Sequence, residues 1–204
     1  FSLGQKNNIT PPVSSPQSTL SYVSVDINPS MEWVINEKDI IVDITSYNDD
    51  VNNLSFVSSL KGKPIMEGME LMMQDQAFQE YLEKGFLEIG IYSEEKAQEE
   101  KLQKQIDSYL QKHLNDANYH CSRKNKETFE KSRQHNMSLG KYSVIQRILK
   151  YDDSYTEEQL QNKNMRELHE ILSTYEDTSS KSHGKHKKRG KNMSCKQISN
   201  TPVS

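Results

Sequence analysis

Cysteine is nearly missing from these 204 residues. There are two, Cys121 and Cys195, far apart, and the second sits in a polar tail. That excludes a disulfide framework and a cysteine metal cluster. Low cysteine use suits both the cytosol and a bacterial exterior, so it leaves the compartment open. There is no run of about 18 apolar residues, the length a membrane-crossing helix needs. The opening, "FSLGQKNNITPPVSSPQST", lacks a charged segment followed by an apolar core, so it does not read as a signal peptide; it looks cut from something longer. Net charge is only −3, which gives no electrostatic case for nucleic acid. A glycine-rich phosphate loop, a nucleophile elbow and a Glu-x-x-His pair are all missing. His113, His120, His135 and His169 are scattered without ligand spacing and read as surface or satisfied core histidines. Nothing calls for a cofactor.

What is present is polar. Hydrophobic residues make up 33% and charged ones 27%, a balance that predicts disordered ends. Residues 1–19, with Pro11, Pro12 and Pro16, read as a flexible linker. Residues 174–204 contain "KSHGKHKKRGKNMSCK", with seven Lys/Arg and no acid, and read as a solvated basic tail. His183 and His186 there are the candidates for metal, and its charges for anionic polymers. The folded unit is then 20–173.

Period-two alternation marks strands at 22–27 (Val23, Val25, Ile27), at 31–35 (Met31, Trp33, Ile35) and at 39–45 (Ile40, Val42, Ile44), with "NEKD", 36–39, as a hairpin loop. A helix is predicted from Pro64 to Lys84, ended by Gly85. Its Met-rich stretch reads as core filler. "FLEIGIY", 86–92, is a fourth strand. Ser93 is placed to cap a helix carrying Leu102, Ile106 and Leu110. A fifth strand at 117–123 follows, then a helix at 126–136. Ser138 is placed to cap a helix with Tyr142, Ile145 and Ile148. Thr156 and Gln159 form a capping box for a last helix with Leu160, Met165, Leu168 and Leu172. The order βββ-α-β-α-β followed by C-terminal helices predicts an α+β sandwich, mainly antiparallel, with helices on one face of the sheet.

One link stands out in "SYVSVDINPSMEW", 21–33. Asn28-Pro29 has two readings. In the first it is a turn or bulge, where proline is tolerated. In the second it is a bond that cuts itself. Asparagine normally ages when the next backbone nitrogen attacks its side chain, and the tertiary proline nitrogen has no hydrogen for that. The remaining route is reversed: the Asn28 amide attacks its own carbonyl carbon, leaving a succinimide and a free Pro29. A fold that strains the peptide by ~4 kcal/mol would speed this roughly a thousandfold. Ser30 could hydrogen-bond the developing charge on the carbonyl oxygen. Asp26 could accept the proton if it lies on the same side, as alternation of 26 and 28 suggests.

"DINPS", Asp26 to Ser30, closely resembles the hallmark of the extracytoplasmic middle domain of RsgI-type anti-sigma factors. "SLGKYSVIQRILKYDDSYTEEQLQNKNMRELHEIL", 138–172, resembles that family's later helices, with Leu139 where the family has Pro. "LKGKPIMEGMELM", 60–72, fits its loop-to-helix segment. The resemblance covers about 20–173. It implies a SEA-like α+β domain and single-turnover self-cleavage between Asn28 and Pro29, not an enzyme. It also implies two fragments held by strand pairing, whose separation permits membrane proteolysis and release of a sigma factor. The implied partners are a sigma factor of the sigma-I class, bound by a cytoplasmic segment outside this chain, membrane proteases, and cell-wall polysaccharide. The implied location is the extracytoplasmic side of a bacterial membrane, with an anchor in the full-length protein. The rival reading is an uncleaved adaptor that binds a wall or protein partner.

Overall fold

The computed structural model describes residues 19–114 and 118–183, the last seven of these as backbone alone. Residues 1–18 of the linker and most of the basic tail, His186 included, lie outside the described residues.

Five strands form one sheet: β1 (Ser21–Asp26), β2 (Ser30–Ile35), β3 (Ile41–Ser46), β4 (Leu87–Ser93) and β5 (Tyr119–Arg123). Their spatial order is β3-β2-β1-β4-β5. Three of the four pairings are antiparallel, and only β4 with β5 is parallel. The first strand is therefore the central one, flanked by β2 and by β4. The "NEKD" hairpin forms as expected. Asn36 Oδ1 accepts from the N–H groups of Lys38 and Ile40 at 3.0 Å, and Asp39 sits at φ 61°.

The third strand differs from its alternation. Val34 faces Asp43 but Ile35 faces Ile41, so Val42 is an extra residue in the ladder. The bulge brings Ile41 and Ile44, three apart, onto one face. Ile41 is in the core, whereas Ile40 only bridges to Pro64.

The predicted helix 64–84 is two helices, α1 (Ile65–Gln74) and α2 (Gln76–Lys84). Asp75 divides them. Its Oδ1 caps α2 by accepting from Phe78 N–H at 2.9 Å, and its Oδ2 accepts from the Ser55 hydroxyl and the Ser55 and Phe56 N–H groups. Gly85 ends α2 as expected, and Ile65, Met69, Met72 and Phe78 are core residues. The next helix, α3 (Lys96–His113), starts later than Ser93 suggests. Ser93 Oγ accepts from Glu95 N–H and stays part of the strand end. Four helices follow β5: α4 (Lys126–Gln134), α5 (Leu139–Tyr151), α6 (Glu157–Gln161) and α7 (Met165–His183). The Thr156–Gln159 capping box starts α6, and the single last helix of the sequence reading is α6 plus α7. α7 continues to His183, past the boundary at 173 that composition suggests.

The molecule is α+β, but helices cover both faces of the sheet. Val23, Val25, Met31, Trp33, Leu87, Ile89 and Ile91 project to one face and pack with α1, α2 and α3 in the larger core. Tyr22, Ser24, Asp26, Glu32, Glu88 and Gly90 alternate to the other, where α4, α5 and α7 lie. Those helices close a second, smaller core of Tyr142, Ile145, Ile148, Leu160, Met165, Leu168 and Leu172. The one-face expectation fails because strands with Ser, Asp and Glu at alternate positions look solvated.

Candidate functional site

The link between β1 and β2 is a three-residue turn. Asp26 and Ser30 are the last paired rung, and Ile27, Asn28 and Pro29 cross between them. Ile27 N–H donates to the Pro29 carbonyl at 2.9 Å. Asn28 sits at φ 81°, a left-handed backbone that costs a non-glycine residue energy, less for Asn than for most. It borders an open cleft of about 470 Å³ that Ser30, Tyr47, Asn48, Ser138 and Lys141 also line. Ser30 is pinned on its backbone: its N–H donates to Asn48 Oδ1 at 3.2 Å, and its carbonyl accepts from Tyr47 N–H at 2.9 Å. Its hydroxyl faces the Asp26 carboxyl.

Asp26 ends β1, so the alternation that would pair it with Asn28 stops one residue short of the left-handed turn. Its carboxyl is fully buried. Oδ1 accepts from the Ser138 hydroxyl, while Oδ2 has no hydrogen-bond partner among the described residues. Ser138 does stand at the start of α5, but its side chain makes no bond to its own helix. Burial pushes the Asp26 pKa up from 3.8 to about 6, against the hydroxyls of Ser138, Ser30 and Ser24, while the nearby Glu88 charge raises it further.

Two more buried carboxylates share this face. Glu88, in β4 opposite Asp26, accepts from Lys124 Nζ at 3.0 Å, His120 Nδ1 at 2.9 Å and His169 Nε2 at 3.1 Å. These cations and donors outweigh burial and hold its pKa far below the usual carboxylate range. His169 comes from α7 and stacks on Phe86 at 3.7 Å. Glu32, in β2, is held by Arg133 of α4, whose guanidinium also donates to Tyr47 Oη at 3.0 Å and lies over the Phe129 ring at 4.2 Å. Burial still raises Glu32 above its usual value. Sequence reasoning missed Lys124, Arg133 and Ser138 as partners. The available signal was the acid placed inside each apolar strand, "YVSVD", "SMEW" and "LEIGIY", together with apolar helices after 138 that needed a surface to cover.

The Asp26 shift gives a pH prediction. The folded protein binds this proton more tightly than the unfolded chain. The favourable contribution is full below pH 3.8 and is lost as pH rises through 6. Relative to Asp26→Asn, the protein should therefore lose about 3 kcal/mol between pH 3.8 and pH 7. Urea unfolding of both proteins in an Asn28→Ala background checks it. Glu88 acts in the opposite sense below its usual 4.5 and is common to both. Parallel pH curves would show that Asp26 is not the group concerned.

A mixed sheet with a left-handed Asn-Pro turn beside its central strand, backed by buried carboxylates, is the setting in which a family match falls, that of the central domain of an anti-sigma factor. The chain belongs to that family: the model described as "Anti-sigma factor RsgI-like central domain" matches residues 20–147, which include both Asp26–Ser30 and Ser138–Gly140. Two curated relatives from Acetivibrio thermocellus are similar to it. Anti-sigma-I factor RsgI7 is 26% identical over 165 residues, covering 77% of this chain and 30% of the relative. Anti-sigma-I factor RsgI4 is 23% identical over 160 residues, covering 74% and 31%. The chain thus spans about a third of the length of these relatives. Among the described residues no helix is long and apolar enough to cross a membrane.

Proposed function

We propose that this domain is the severable link of a transmembrane anti-sigma factor, cut by its own fold between Asn28 and Pro29. The observation that carries the reading is Asn28 at φ 81° in a three-residue turn beside the central strand. Asn28 Nδ2 attacks the Asn28 carbonyl carbon, and the bond to Pro29 nitrogen breaks. One amide proton leaves Nδ2 and one proton reaches the Pro29 nitrogen, so the two products together have the atoms of the parent. Asp26 is the proton acceptor. The Ser30 hydroxyl is available to the carbonyl oxygen or to Asp26.

The anchored piece then ends at residue 28 and remains in the sheet as β1, in a SEA-like arrangement of two non-covalent fragments. Tension pulls them apart and exposes a stub to membrane proteases. A sigma factor of the sigma-I class, held by a segment outside this chain, is released. The domain acts on the extracytoplasmic side of a bacterial membrane, and cell-wall polysaccharide is the candidate source of the load.

Mass spectrometry of the denatured protein tests the cut. A fragment beginning at Pro29 is expected, and Asn28→Ala should yield one intact chain. A wild-type chain of full mass would leave the adaptor reading in its place.

A further inference from the structure

Asp26 is held by a residue 112 positions away, in a segment that the cut itself does not involve. We infer that Ser138 is a positioning residue for cleavage: its hydroxyl holds the Asp26 carboxyl beside the turn, so the start of α5 assists the cut. This rests on the self-cleavage reading above.

Three observations meet at one point. Ser138 occupies a capping position but spends its hydroxyl on Asp26 and makes no side-chain bond to its own helix. Two residues on, Gly140 N–H donates to Ser24 Oγ at 2.9 Å, and Ser24 Oγ also accepts from Gly90 N–H at 3.2 Å. That ties the α5 amino terminus to β1 and β4 together. Finally, Gly140 has no room for a side chain. A Cβ there would strike Asp26 Oδ2 and come within 3.0 Å of Glu88 Cγ and Ser24 Oγ. The backbone of α5 is thus pressed against the same carboxyl that its serine grips. Asp26 and Ser30 are the rung that closes the Asn28-Pro29 turn, so a shift of the Asp26 side chain is felt two residues from Asn28.

The other groups facing Asp26 set its charge. They are Ser24 on β1; Ser30 on β2; Glu88 on β4, paired with Lys124, His120 and His169; Tyr47 after β3; and Lys141 on α5. The Ser138 hydroxyl is the strongest of the hydrogen bonds favouring the ionised form that accepts a proton.

The test uses full chain recovered uncut from inclusion bodies and refolded by dilution at pH 5 to 8. The rate of appearance of the Pro29 fragment is followed by mass, with near-ultraviolet circular dichroism as the check of folding. For the wild type the rate should rise with pH through about 6. Ser138→Ala should move that midpoint up by about one pH unit, leaving the cut about threefold slower at pH 6.5 and nearly normal at pH 8. Ser138→Thr, which keeps the hydroxyl, should restore both. In an Asp26→Asn background Ser138→Ala should add nothing. A folded Ser138→Ala with the wild-type rate and midpoint overturns the inference. So does a loss that is equal at every pH or that persists in Asp26→Asn, because that marks a merely structural role. Those results leave cleavage standing, whereas a wild type that never cuts removes the cleavage reading and this inference with it.

Discussion

Pulled from its two ends, the cleaved protein is expected to part in one step, while Asn28→Ala stays tethered and lengthens by its unfolded chain. After the cut no covalent bond joins residue 28 to 29, so only β1 resists. The sequence alone suggests one ladder with a neighbouring strand. The structure gives β1 two, with six residues in register against β2 and six against β4. Each hydrogen bond contributes on the order of 1 kcal/mol net. Val23, Val25 and Ile27 are almost completely buried and each add roughly 1.5–3 kcal/mol. The side chains of Ser24 and Asp26 add ties to α5. Native gel filtration should therefore keep both fragments in one peak, and single-molecule pulling should show rupture at less work than unfolding the whole domain. Identical lengthening of both proteins without rupture would sink the severable link and favour the adaptor.

Lys124→Met should destabilise the protein by about 3 kcal/mol at pH 7, measured by urea unfolding in the Asn28→Ala background. Methionine keeps the bulk of the aliphatic stem, so the loss reports charge. Glu88 is completely buried, and Lys124 is the largest of the influences that lower its pKa. Without that cation a buried carboxylate keeps only His120 and His169. The sign with pH follows. Glu88 contributes stability above pH 4.5 that is lost as pH falls below it, because its folded pKa is depressed. The gap between Lys124→Met and its parent should close in acid. A gap below 1 kcal/mol at pH 7, or one that does not narrow, would mean that Lys124 is not what neutralises the buried Glu88.

Local signals placed much of this chain. Alternation located β1, β2 and β4 and the residues of their apolar face, because side-chain parity in a strand is a property of the strand alone. The Thr156–Gln159 capping box and the Asn36 loop were legible because all their bonds close within four residues. The turn at Asn28-Pro29 was legible as a turn for the same reason. The division of α1 from α2 was not, since Asp75 is held from outside by Ser55 and Phe56. Nor was the bulge at Val42, which exists only against β2.

The sequence by itself determined the strands, most of the helices, the apolar face of the sheet and the Asp26–Ser30 segment that carries the family. Tertiary structure alone decided that β1 is central, because β4 returns from 62 or more residues away to pair with it. It also decided that the second face is covered. Parity says which residues share a face, but not what lies over it. Ser24, Asp26, Glu32 and Glu88 have the composition of a wet surface, and only the arrival of Ser138, Arg133, Lys124 and His169 from distant segments makes their burial affordable.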